Sequence, residues 1–399
     1  MVSSLTNPHG DRLVNLLLPP DEAHELKRAS INFPSVTLND RQLCDLELLL
    51  NGGFSPLTGF LGRADYDSVV LRMRLVDGTL WPMPVTLDVS ESFAETISEG
   101  AQVVLRDKEG FPLAVLTVTD IWRTDLQAEA EQVFGSTDLL HPAAFYLLDT
   151  SNPVYLGGTL QGITLPMRYD YQLLRHTPAE VRDRFTRHGW DRVVAFQTRN
   201  PLHRAHLELT HRAAAKVKAN LLLHPVVGLT KPGDVDHYTR VRCYEQVIEH
   251  YPAGTAMLSL LPLAMRMGGP REALWHAIIR KNYGCGFFIV GRDHAGPGND
   301  SNGQPFYGPY DAQDLLREHE VELGIKMVPF KMMVYVEDRA EFQPEDEVPK
   351  GVRTLNISGT ELRRRFDKGL EIPDWFSFPE VITELRNARP PLTERGFTV

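Results

Sequence analysis

Cysteine is scarce: three in 399 residues, Cys44, Cys243 and Cys285, with no CxxC pair among them. An odd count at such spacing excludes a disulfide framework and a cysteine-based zinc site, and fits a reducing compartment. No run of 18 apolar residues occurs, so no transmembrane helix is expected. The apolar run at 13–18 is broken by Asn15 and followed by no small-residue cleavage site, unlike a secretory signal. Positive charge is also short, with 42 Lys and Arg against 52 Asp and Glu, a net charge of −10. Such a field suits broad nucleic-acid binding poorly, and the aromatic-basic pattern of an RNA-binding sheet is missing. These absences describe a cytoplasmic protein that engages neither membrane nor nucleic acid.

What remains is ordinary globular material, 42% hydrophobic and 24% charged, long enough for two or three domains. Residues 1–170 read as a β-rich, barrel-like region: apolar runs at 83–87, 103–105 and 113–118 are separated by Asp77-Gly78 and Glu109-Gly110 turns. A helix is predicted at 39–50, capped by Asn39 or Asp40. Over 171–330 strands and helices alternate. Strands are predicted at 193–196, 221–228, 256–263, 287–290 and 325–330, and helices at 201–216, 236–250, 270–283 and 311–323. This order predicts an α/β domain with a parallel sheet, whose ligands bind outside the carboxyl ends of the strands. Six acids at 337–347 with a single Arg339 predict a solvated connector. A small C-terminal α/β region, 331–399, follows, with helices at 359–368 and 379–387.

The chemistry concentrates where the strand 193–196 runs into Gln197-Thr198-Arg199-Asn200-Pro201-Leu202-His203-Arg204-Ala205-His206. Asn200 reads as a helix N-cap and Pro201 as the first helical residue, so a positive helix terminus faces out of the strand end, where an anion is favoured. His203 and His206, three apart, then share one helical face and can hydrogen-bond oxyanions as charge grows. A metal is the rival reading of the pair, but no third ligand stands nearby. Seven arginines in 182–212 form a basic island that suits a small anion. Gly291-Arg292-Asp293-His294 follows the strand 287–290, and Gly296 and Gly298 leave the loop free to approach a ligand closely.

QTRNPLHRAH resembles the signature of the sulfate adenylyltransferase (ATP sulfurylase) family, within the nucleotidyltransferases that carry an HxxH or HxGH motif at a helix start. The likeness runs along nearly the whole chain, through RQLCDLE (41–47), NGGFSPL (51–57), HPVVGLTKPGD (224–234), AMRM (264–267), GRDHAGPG (291–298) and NISGTELR (356–363). It implies a PUA-like N-terminal domain and a nucleotidyltransferase catalytic domain. The reaction implied takes ATP and sulfate to adenosine 5′-phosphosulfate and pyrophosphate, the first step of sulfate activation, with the reverse direction open in sulfur oxidation.

Carried over residue by residue, the resemblance makes Thr198, Arg199 and Asn200 active-site residues, and His203 and His206 transition-state stabilisers. Gln197 and Arg199 would bind sulfate, with Ala295 offering its backbone. Gln197 through Asn200, Gly291, Arg292, Asp293, His294 and Met333 would contact ATP, Met333 replacing a smaller aliphatic residue beside the adenine. Mg²⁺ is expected to enter with ATP, and no permanently bound metal is expected. Several family members extend into an adenylylsulfate kinase or kinase-like domain. No GxxxxGK[ST] phosphate loop occurs here, so that activity is expected to be absent. A homo-oligomer, a dimer, is expected.

Overall fold

The β-rich expectation for the first part of the chain resolves into one mixed sheet. Its strands are β1 (Ser35–Thr37), β2 (Leu87–Val89), β3 (Gln102–Arg106), β4 (Pro112–Arg123) and β5 (Val154–Gly162), in the order β1-β3-β4-β5-β2. The run at 83–87 contributes only Leu87 to a strand, which continues instead to Val89. The sheet curls without closing. Its edge strands β1 and β2 flank one cleft. Across the cleft Gln42 Nε2 donates to Asp88 Oδ1 at 2.8 Å and to Asp88 O at 3.1 Å. Gln42 is held there by a capping box: Asn39 Oδ1 accepts its N–H at 2.9 Å, and Gln42 Oε1 accepts the Asn39 N–H at 3.0 Å. The helix so started, Asp40–Leu50, is buried over most of its length. The computed structural model describes residues 5–389; the ends of the 1–170 and 331–399 regions lie outside the described residues.

Five parallel strands form the second sheet: β6 (Val193–Phe196), β7 (Asn220–Leu223), β8 (Ala256–Leu258), β9 (Phe287–Val290) and β10 (Lys326–Pro329). They stand in the order β10-β9-β6-β7-β8. The chain winds outward from β6 in one direction and returns to β9 on the other side, so the switch point lies between β6 and β9. In such sheets the crevice beyond that point holds the ligand. Strands β7, β8 and β10 are shorter than the apolar runs that announced them, because those runs continue into buried loops.

Alternation along these strands divides the interior in two. Val193, Ala195, Leu222, Phe288 and Val290 join a core shared with the N-terminal sheet and the Gly269–Asn282 helix. Val194, Phe196, Leu221, Leu223, Ile289 and Val328 join another, shared with the His237–Ile248 helix and the C-terminal Phe342, Phe366, Phe376 and Val381. Each face of a parallel sheet is thereby covered.

The acidic stretch 337–347 is not a bare connector. It carries β12 (Glu341–Pro344), which pairs with β11 (Met333–Val336); β11 also pairs with β13 (Thr354–Leu355). Strand alternation explains the difference: Phe342 and Pro344 point inward while Glu341 stays in water.

Candidate active site

Beyond β6 the chain keeps its extended course. His224 N–H donates to Phe196 O and Val226 N–H to Thr198 O, both at 2.9 Å, so pairing with the chain beyond β7 outlasts both strands. Thr198 Oγ1 then ties the turn, accepting the Asn200 N–H at 3.1 Å and donating to Asn200 O at 3.1 Å. Asn200 O also takes the buried Tyr244 hydroxyl at 2.9 Å.

These contacts move the helix start. Residues 201–203 do not enter the helix, which spans Arg204–Val217. Neither Asn200 nor Pro201 holds the position expected of it. The cap is His203, extended at φ −125° and ψ 174°. His206 is the third helical residue, and its Nδ1 accepts the His203 backbone N–H at 3.1 Å. The two imidazoles therefore sit on a cap and its first turn, not on one helical face, with ring centroids 5.9 Å apart. Asn200 is exposed, and its side chain has no partner among the described residues.

A pocket of about 350 Å³ opens at this strand end, at the switch point. It gathers Gln197, Thr198, Arg199 and Asn200 from the β6 turn, His206 from the helix that follows, Gly291 through Ala295 from the turn after β9, and Met333 from the start of β11. Every residue given a catalytic or binding role in the sequence meets there except His203; Gly296 and Gly298 do not line it. His203 lines an adjoining cavity of about 830 Å³, which shares Asn200, Ala205 and His206 with the first. The second cavity runs between the turn at 233–236 and the C-terminal helices, and Arg363 and Arg389 reach it.

The site is polar but its histidines are neutral. Burial pushes His206 down to about 4. Burial, with His206 beside it, pushes His203 down to about 3. Since His206 Nδ1 is an acceptor, its proton sits on Nε2, which is a neutral donor. His203 Nδ1 meets Ser377 Oγ at 2.9 Å, and its ring lies 4.6 Å from that of Phe376. Positive charge in the smaller pocket comes from Arg199, Arg292 and Lys331 against the lone carboxylate of Asp293. Burial raises the Asp293 pKa, with Arg292, Arg199 and Lys231 opposing. Asp293 and Ala295 both have φ of 53°, a left-handed path unusual for non-glycine residues and concentrated at functional sites.

Arg199 makes an ion pair with Asp234, whose other oxygen accepts the Lys231 N–H at 3.1 Å. Lys231 Nζ donates to Pro297 O, which joins the 231–234 turn to the loop after β9. The rest of the basic island is scattered. Arg182 donates to the carbonyls of Thr6, Lys281 and Asn282, Arg192 to Val217 O, and Arg204 to Asp374 O. Only Arg199 of the seven lines the smaller pocket. At the 359–367 helix Ser358 Oγ accepts the Glu361 N–H at 3.2 Å, Arg364 and Arg365 pair with Glu361, and of its three arginines Arg363 lines the cavity.

Sequence reasoning assigned no role to Lys331, Met332, Met265 or Asp234. The first two follow β10 directly, so the rule that places ligands beyond the carboxyl ends of parallel strands marks them. Asp234 and Met265 lie in the 224–234 and 264–267 stretches that carry the family likeness, and nothing local marks their contacts. Among the described residues no group of three His, Cys, Asp or Glu side chains is placed to hold a metal ion. No helix among them is long and apolar enough to cross a membrane.

The chain is similar to known proteins along nearly its whole length. The ATP-sulfurylase family matches residues 172–388, and the PUA-like domain family matches residues 6–165. A sulfate adenylyltransferase of Mycosarcoma maydis and one of Neurospora crassa are each 56% identical, over 98% of this chain and 69% of theirs. Among solved structures, a chain described as a hexameric APS kinase from Thiobacillus denitrificans superposes with a TM-score of 0.80 at 36% identity. It covers 97% of this chain, and 69% of its own length is matched.

Proposed function

We propose how the pocket works from one premise: the chain belongs to the ATP-sulfurylase family, and its reaction is that of a sulfate adenylyltransferase, joining sulfate to the α-phosphate of ATP with release of pyrophosphate. The observation that carries the assignment of residues is the pocket at the β6/β9 switch point, where the polar strand-end turns converge beside the cavity that His203 lines.

Sulfate is a dianion at neutral pH and needs no general base. Catalysis then rests on positioning and on stabilising charge, as in phosphoryl transfer. Gln197 and Arg199 hold sulfate, with the Ala295 backbone on its other side. Thr198, Asn200, Gly291, Arg292, Asp293, His294 and Met333 hold the nucleotide, with Gln197 and Arg199 touching it as well. Sulfate is attached by direct adenylyl transfer: a sulfate oxygen bonds to the α-phosphorus as the bond to pyrophosphate breaks. His206, through Nε2–H, and His203 donate to the oxygens that gain charge. Arg363, which lines the adjoining cavity, meets the departing pyrophosphate.

Mg²⁺ accompanies ATP as a phosphate counter-ion. The nearby carboxylates suit that role better than an all-protein cage, since Asp234 is paired with Arg199 and Asp293 stands alone. The protein acts in the cytoplasm as a homo-oligomer, a dimer. The solved relative described as hexameric supports assembly of more than one chain, without fixing the number at two. The divisions 1–170, 171–330 and 331–399 serve as domains; the PUA-like match, 6–165, falls within the first, and the ATP-sulfurylase match, 172–388, spans the other two. Release of pyrophosphate from Mg²⁺ and ATP, compared with and without sulfate, tests the reading. Release independent of sulfate would overturn it.

A further inference from the structure

Behind the loop that follows β9 lies a second pair of histidines. His294 Nε2 and His276 Nδ1 are 3.0 Å apart. His276 is wholly buried in the Gly269–Asn282 helix, and its Nε2 faces Glu272 Oε1 at 3.3 Å, one helical turn back. That contact is in ion-pair range, though off the line of a good hydrogen bond. Glu272 is also wholly buried. Its carboxylate accepts the Arg266 N–H at 2.9 Å and the Gly268 N–H at 2.8 Å. Burial alone would raise its pKa, but His276 and these two N–H groups hold it below the usual carboxylate range. Burial keeps both imidazoles neutral.

The buried carboxylate favours one order of the protons. An ionised carboxylate can only accept, so the His276 nitrogen facing it, Nε2, must carry the proton. The opposite tautomer would aim a lone pair at a buried negative charge. His276 Nδ1 is therefore an acceptor, and the proton between the rings belongs to His294 Nε2. The remaining nitrogen, His294 Nδ1, is left with a lone pair and has no partner among the described residues. His294 lines the smaller pocket. Its position is held from both sides, by left-handed residues at Asp293 and Ala295 and by the Gly269 N–H, which donates to Ala295 O at 3.2 Å.

We propose that the buried Glu272–His276 pair fixes His294 as a hydrogen-bond acceptor, which makes His294 a specificity-determining residue for the nucleoside and not an anion binder. Sulfate and the phosphates are acceptors only at neutral pH, and a lone pair repels them. The donors that ATP carries are the exocyclic amine of adenine and the ribose hydroxyls, and one of these is the partner of His294. Glu272 and His276 are positioning residues. The inference rests on the nucleotide reading of the pocket given above.

The test uses the full chain and three ATP analogues: purine riboside triphosphate, which lacks the amine, 2′-deoxy-ATP and 3′-deoxy-ATP. Wild type should disfavour one of them by about tenfold in kcat/KM, the typical worth of one such hydrogen bond. His294→Ala should abolish that preference while the KM for sulfate holds. His276→Leu should weaken it, and His276→Gln, whose amide oxygen can accept from His294, should restore it. A merely structural role for His276 would show no such rescue pattern. The ¹⁵N shift of His294 Nδ1 should be that of an unprotonated ring nitrogen in wild type, a readout that needs neither activity nor a mutation. A protonated Nδ1, or a His294→Ala protein that keeps all wild-type preferences and loses sulfate affinity, overturns the proposal. Competition of the analogues for ATP binding, measured without sulfate, separates the two readings. If the analogues discriminate in binding but sulfate-dependent turnover is absent, the assigned reaction fails and this inference stands.

Discussion

Two histidine pairs flank the pocket, and they differ in what holds them. His203 and His206 lie three residues apart at the start of one helix, linked through a backbone N–H, with His206 Nε2 left for a ligand. His276 and His294 come from different elements, 18 residues apart, and are locked ring to ring above a buried carboxylate. Both pairs are neutral through burial. Yet the first offers a donor to the ligand and the second an acceptor. The number of histidines near an anion site therefore says little about its charge; the partner behind each ring decides what it presents.

Removing the donor is the strongest way to break this comparison. His206→Ala should lower kcat by about 10²–10³, with a modest change in apparent ATP affinity, the usual cost of losing one positioned donor to a developing charge. His203→Ala should do comparable harm, and the double variant less than the product of the two, because both act on one charge. Steady-state pyrophosphate release decides it. A raised KM for ATP with kcat intact would show that the imidazoles bind only the ground state.

Arg199 sharpens the contrast next, since it is charged where the histidines are not. It is paired with Asp234, a partner that sulfate would share or displace. Arg199→Ala should reduce kcat/KM for sulfate by about 10–100-fold, the worth of a charge-assisted hydrogen bond, and should affect nucleotide binding less. Titration of ATP binding beside sulfate kinetics separates the two effects. Loss of ATP binding alone would reassign the residue.

Much of this arrangement was legible in the sequence. Strand β9 and the Asp311–Leu323 helix fall on their expected residues because glycines bound them, Gly286 and Gly291 around the strand and Gly324, at φ 70°, behind the helix. The pocket turns were legible because a parallel α/β order points to strand ends. What escaped depends on contacts distant in sequence. The helix begins at Arg204 because Thr198 and Tyr244 hold Asn200 in an extended turn, and no local propensity encodes Tyr244. The Arg199–Asp234 pair spans 35 residues. His276 sits on a helix buried on all sides, which shows no apolar stripe to set one face apart.

Acidity probes the same burial by stability in place of rate. His203, held down to about 3, and His206, held down to about 4, stay neutral in the folded chain, as do His9 and His141, each lowered by burial to about 4. Unfolded imidazoles titrate near 6.5. From about pH 6.5 down to about 4 the unfolded state binds more protons, so stability falls as pH falls through that window and is level above it. Each such histidine contributes a slope of about 1.4 kcal/mol per pH unit there. Urea midpoints at pH 7, 6 and 5 should show the decline, and His203→Gln should make it shallower. An unchanged slope would mean that water reaches the ring and that its neutrality at the site is not imposed by burial.

The smallest expected effect bears on how the pocket obtains its positive charge. Arg187 and Arg199 belong to one basic stretch, but the fold separates them. The Arg187 side chain is 75% exposed and pairs with Asp183 one turn away on the same helix, whereas Arg199 is 20% exposed at the pocket wall. An exposed pair of this kind contributes within about 0.5 kcal/mol, and its field is screened by salt beyond roughly 10 Å. Arg187→Ala should therefore leave the sulfate KM at its wild-type value and shift the urea midpoint only slightly, at both low and high ionic strength. If it raised the sulfate KM at low salt and not at high salt, the stretch would act as a long-range field that gathers anions. The distinction between Arg199 and its neighbours would then be one of degree. If it does neither, recognition belongs to the one arginine that the β6 turn carries to the strand end.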